Sequence, residues 1–144
     1  MRGKAWVGLG LGIAVAMATG LGPSLGEGAL AIGQVGSVAK NGIAMGWAVG
    51  QRTEGDAKAT ALKECLAFTD APAATRAACK VVRTFKAQCL SIALDPKAGT
   101  PGVGWSVANT AQAAEETAMA ECRRTAGKAR EKFCKITASK CDAL

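Results

Sequence analysis

The chain has 144 residues, enough for one domain with a modest core. It is 49% hydrophobic but only 4% aromatic, so each Trp and Phe must bury roughly 150–250 Å² if the core is to hold. The net charge is +7 with no histidine, which excludes Ser-His and Cys-His nucleophiles and leaves only cysteine and carboxylate as metal ligands.

In chain order, MRGK is a short basic lead to the apolar run AWVGLGLGIAVAMA, which ends in small residues at Ala16 and Ala18. This is the pattern of a secretory signal peptide over residues 1–18. Ala29 and Ala31 offer a second cut, as late as residue 31, but residues 29–33 read as a strand and the earlier cut is preferred. No charge occurs from Ala5 to Gly26, so an uncleaved anchor is the competing reading; the glycines and Pro23 weaken it as a helix. The remainder, 29–144, reads as a single exported domain, periplasmic or secreted, with no stable membrane span after cleavage. A bacterial export signal is the simpler reading. Loss of Arg2 and Lys4 would lower the net charge from +7 to +5.

ALAIG at 29–33 reads as the first strand, and KNG at 40–42 as the turn after it. IAMGWAVG then alternates: Ile43, Met45, Trp47 and Val49 on one face, Ala44, Gly46, Ala48 and Gly50 on the other. Period two means a strand with one bulky and one bare face, and the bare face lets another element come close. Thr53 caps a helix, with Asp56 three residues on, and Ala57, Ala61, Cys65 and Phe68 recur at helical spacing. A connecting segment, 66–78, leads to a strand at CKVVRTF, 79–85. LSIALD at 90–95, the loop KAGTPG and VGWSVA at 103–108 give two more strands. A helix capped by Thr110 follows, with Ala114, Ala118 and Cys122 on one face, and then the strand CKITA at 134–138.

The two halves match. Trp47 precedes Cys65 by 18 residues, and Trp105 precedes Cys122 by 17. GWAVGQRTEGDAKATALKEC aligns with GWSVANTAQAAEETAMAEC with one gap. The expected fold is α+β: an antiparallel sheet of about six strands with two helices on one face. It would be a pseudo-twofold ββαβ repeat, about 29–89 and 90–141, pinned by disulfides.

The ALAIG…GIAMGWAVG hairpin, the ALKEC helix end and the CKVVRTF…C strand, with the export signal, resemble the bacterial secreted family catalogued as domain of unknown function 4189. The resemblance covers residues 29–141. The chain departs from that pattern in its longer segment at 66–78 and its low aromatic content. The resemblance implies export and this fold, and no activity.

Cys65, Cys79, Cys89, Cys122, Cys134 and Cys141 are an even set in an exported domain, without a Cys-x-x-Cys, and read as structural disulfides rather than a metal or redox site. Fifteen pairings exist. The preferred one is Cys65–Cys79, Cys122–Cys134 and a bridge between halves, Cys89–Cys141, with Cys79–Cys134 as the kind of link that would overturn it. Trp47 and Trp105 have apolar neighbours on their face and are expected in the core. Two basic groups, Lys80, Arg83 and Lys86, and Arg123, Arg124, Lys128, Arg130, Lys132 and Lys135, are the candidate polyanion-binding residues, weighed against ordinary solvated surface. Glu54 with Asp56 and Glu115 with Glu116 are the close carboxylates, each in a helix first turn. No cofactor, metal or nucleic acid is expected. The favoured function is a non-enzymatic exported binding module for an anionic envelope polymer or an acidic protein, for instance as an inhibitor. The alternative is a small carboxylate-dependent hydrolase of the envelope.

Overall fold

A computed structural model describes residues 26–142; the expected leader, 1–18, lies outside them. The elements run β1 (Glu27–Gly33), α1 (Val38–Asn41), β2 (Ala44–Gln51), α2 (Glu54–Leu66), α3 (Ala73–Ala77), β3 (Lys80–Lys86), β4 (Cys89–Leu94), β5 (Val103–Ala108), α4 (Ala111–Ala126), a 3-10 turn (Glu131–Phe133) and β6 (Lys135–Cys141).

The strands form two three-stranded antiparallel sheets, β2-β1-β3 and β5-β4-β6, and not the single sheet of about six strands expected. The physical reason lies in the two-faced strands. A single sheet with both helices on one face would leave a bulky or a bare face uncovered. Here the bulky faces cover each other: Leu30, Met45 and Phe85 of the first sheet share one core with Leu90, Ile92 and Ala138 of the second. The bare faces point outward, and each takes one helix.

The helices therefore lie on opposite outer sides. Ala57, Ala61 and Cys65 of α2 pack on Ala29, Ala31, Ala44 and Ala48. Ala118, Cys122 and Ala126 of α4 pack on Ala93. The approach is so close that a Cβ at Gly46 would collide with the Ala61 carbonyl and the Cys65 nitrogen, and one at Gly104 with the Ala118 carbonyl and the Cys122 nitrogen. Both caps form as expected: the Thr53 side chain accepts from the Asp56 N–H (3.1 Å) and that of Thr110 from the Ala113 N–H (3.2 Å).

Three disulfides join Cys65–Cys79, Cys89–Cys141 and Cys122–Cys134, the preferred pairing. The first ties α2 to the residue before β3, and the third ties α4 to the residue before β6. The second was expected to bridge the two halves. Instead Cys89 opens β4 and pairs in register with Cys141 of β6, so this bridge lies within the second sheet.

The expected turn at KNG is the end of a short helix, α1, stopped by Gly42 at φ 67°. The long segment 66–78 contains α3, whose buried Thr75 donates to the Asn41 carbonyl (2.6 Å) and so fastens α3 to the end of α1.

Candidate functional site

The six cysteines are all consumed in bridges, with none free. Among the described residues, no group of three or more His, Cys, Asp or Glu could hold a metal ion. No helix among them is long and apolar enough to cross a membrane.

The basic residues divide between the sheets. Lys80, Arg83 and Lys86 lie exposed on β3, an edge strand of the first sheet. Lys86 is paired with Glu27 (2.8 Å), and that carboxylate holds its ammonium pKa above the ordinary lysine value. The other six lie on one continuous segment, from the last turn of α4 to the first residue of β6. Arg123 and Arg124 stand at the helix C-terminus, where positive charge is favoured by the helix dipole. Arg124 is clasped by Glu121 (2.5 and 2.9 Å).

Arg130 is the anchor of that segment. Its guanidinium makes two hydrogen bonds to Asp95, Nε to Oδ2 at 2.6 Å and Nη2 to Oδ1 at 2.7 Å. Asp95 follows β4, and its side chain is fully buried. Hydrogen bonding from Arg130, opposed by burial and helped by the Lys97 N–H, pulls the Asp95 pKa down to about 2. Arg130 also lies over the exposed Phe133 ring, 4.2 Å from its centroid, and Lys132 lies 5.1 Å from the same ring. With the Cys122–Cys134 bridge, these contacts fix the course of residues 127–134. Arg123, Lys128, Lys132 and Lys135 then project from or beside this braced segment, exposed and without a salt bridge among the described residues. Arg124 and Arg130, by contrast, already have carboxylate partners.

Glu54, Asp56, Glu115 and Glu116 line neither of the two cavities beside the Trp residues. Glu54 is exposed and paired with Lys58, and Glu116 accepts from Gln112 (2.9 Å). A carboxyl that sequence reading did not single out is Asp142. It is buried; its Oδ1 accepts from the Gln88 N–H (2.6 Å), while its Oδ2 has no partner among the described residues. Burial pushes its pKa up. It fastens the end of β6 to Gln88, just before β4.

Trp47 and Trp105 pack against the core between the sheets, but each is only half-buried, because β2 and β5 are edge strands. Trp47 lines a cavity of about 760 Å³ and Trp105 one of about 530 Å³. The alternation showed which way the Trp side chains face. It held no signal that their strands are at edges.

The fold and its surface define a class: an α+β domain of two facing three-stranded sheets, braced by three disulfides, with a cationic segment at one helix end. The chain belongs to the DUF4189 family, a domain of unknown function, whose family model matches residues 28–141. No curated protein and no solved structure gives a significant match to it.

Proposed function

We propose that this protein is an exported, non-enzymatic binding module that holds an anionic polymer of a bacterial envelope, or an acidic protein, on the segment 123–135. The observation that carries the reading is the bracing of that segment by the Arg130–Asp95 pair and the Cys122–Cys134 bridge. Arg130 is spent on Asp95 and Phe133, and Arg123, Lys128, Lys132 and Lys135 stand exposed around it. A fixed array of cations loses little side-chain and loop entropy on binding. Three disulfides support an oxidising compartment. Ala29, Leu30 and Ala31 are fully buried in the central strand β1, which supports a leader cut near residue 18 rather than at 31.

The two ββαβ units are read as copies of one ancestral unit. Both third strands slip by one residue at matching places, between Arg83 and Val81 on β3 and between Ala138 and Ile136 on β6. Each unit also bridges its helix to the residue before that strand.

The test is binding of labelled dextran sulfate and poly-glutamate to the protein and to a variant carrying Arg123→Gln, Lys128→Gln, Lys132→Gln and Lys135→Gln. Binding should be strongest at low salt, fall steeply towards about 0.5 M, where the Debye length is only a few ångströms, and drop at least about tenfold in the variant. Absence of binding at low salt, or equal binding by the variant, would sink the reading.

A further inference from the structure

Among the described residues, both Gly-Trp strands lie on open sheet edges, β2 in one sheet and β5 in the other. An edge strand offers a row of unpaired N–H and C=O groups to any chain that can reach it. The cavity beside β2 is placed to let one do so. Its lining includes Met45, Trp47 and Val49, which face the second sheet, and also Gly46 and Ala48, which face α2. Residues from both faces of a strand line one space when that space runs along the strand's edge. The walls are Glu64 of α2 with Phe68 and Asp70 just beyond it on one side, and Lys140 of β6 on the other. A strand edge flanked by a helix is the geometry in which an extended peptide adds to a sheet, with main-chain hydrogen bonds for affinity and side-chain pockets for selection. The volume, about 760 Å³, is within the range of ligand sites.

Charge selects the occupant. Glu64 precedes Cys65 as Glu121 precedes Cys122. Glu121 is neutralised by Arg124, three residues on. The residue three places after Glu64 is Ala67, so Glu64 has no salt-bridge partner among the described residues, and neither has Asp70. In a chain of net charge +7, the α2 side of this edge keeps two exposed, unspent carboxylates beside the half-buried ring of Phe68, while Lys140, the cation that also lines the space, stands on the opposite wall. A lysine or arginine there would meet carboxylate and aromatic face together.

We propose that the open edge of β2 is a docking site for an extended, basic segment of a partner protein, which adds as a fourth strand to the first sheet. Alternate residues of the segment are apolar and pack on Trp47 and Val49, on the face toward the second sheet; the basic residues between them point to the α2 side and meet Glu64, Asp70 and the Phe68 ring. The site is separate from the cationic segment 123–135 and does not depend on the function proposed for it.

The probe is a fluorescein-labelled, end-capped peptide of about seven alternating lysines and valines, roughly one strand in length. Its fluorescence anisotropy is followed against the full-length protein. Saturable binding is expected. N-methylation of alternate residues, which removes the donors along one edge, should weaken it at least about tenfold, as should the double variant Glu64→Gln, Asp70→Asn. Both carboxylates are exposed, so circular dichroism should show that variant folded. The four-glutamine variant of the basic segment should bind as the parent does. Three results would overturn the proposal: no binding at about 1 mM, equal binding of a glutamate-valine peptide, or indifference to N-methylation. A concentration-dependent dimer that excludes the peptide would also overturn it and assign the edge to a second copy of the chain.

Discussion

Replacing Gly104 by alanine tests how closely α4 is seated on the bare face of the second sheet. The added Cβ would collide with the Ala118 carbonyl and the Cys122 nitrogen, both backbone atoms in the middle of α4, and would press on the Glu121 Cβ. Backbone in mid-helix cannot rotate away, and Cys122 is also held by its bridge to Cys134. The helix must lift. Ala114, Ala118 and Cys122 are completely buried beneath it, and a gap of 0.5–1 Å forfeits about a quarter to a half of each dispersion contact there. Overpacking of this kind costs about 3 kcal/mol, the upper part of its usual range. For a domain of this size that lowers the melting temperature by roughly 10 °C. Gly46→Ala should behave alike, since its Cβ would meet α2 in the same way. Gly55→Ala is the control. Gly55 is exposed in the first turn of α2, with the Thr53 hydroxyl the nearest atom at 3.8 Å, so alanine should stabilise by about 0.5 kcal/mol through lost unfolded-state freedom. Urea denaturation of the three variants decides it. If Gly104→Ala unfolds at the parent midpoint, α4 does not sit on the glycine face and the layering is wrong.

Three further outcomes follow from particular contacts. Replacing both Cys89 and Cys141 by serine should cost about 4 kcal/mol on the chain-entropy model, because the bridge spans 52 residues, against about 3 kcal/mol for either short bridge; denaturant midpoints rank them. Thr53→Ala and Thr110→Ala should each cost about 1 kcal/mol, since each side chain satisfies one helix N–H. Asp95 has its pKa lowered from 3.8 to about 2 by Arg130. A lowered carboxyl pKa gives stability that is complete above the unfolded value and lost on acidification, so this contribution should fade between about pH 4 and pH 2, and Arg130→Met should flatten that part of the acid-unfolding curve.

Local structure was readable because local chemistry decides it. The alternation of GWAVG and GWSVA gives the strand faces, and Thr53 and Thr110 mark the helix starts. The disulfide pairing came from placing one bridge within each half and a third between them. The number of sheets was not readable. Period two tells which face of Trp47 is bulky, but the partner of that face is 40 or more residues away: Leu30 and Met45 meet Leu90 and Ile92. For the same reason nothing near Cys89 in the chain showed that it opens β4 rather than closing the first unit. The candidate site was half legible. The cluster of cations at 123–135 is visible in the sequence, but Arg130 is bound to a carboxylate 35 residues earlier, and only the fold separates it from its exposed neighbours. The cavity at Trp47 depends on β2 being an edge, a fact of topology.

The facing of the two sheets underlies the rest: it sends the helices outward, leaves β2 and β5 at open edges, and mounts the cationic segment beside α4. Methyl-methyl nuclear Overhauser effects measure it directly. The side chains of Leu30 and Met45 should show cross-peaks to those of Leu90 and Ile92, because all four are buried in one cluster between the sheets. If those cross-peaks are absent while the pairings β1–β2 and β4–β5 are intact, the sheets do not face each other and the account fails.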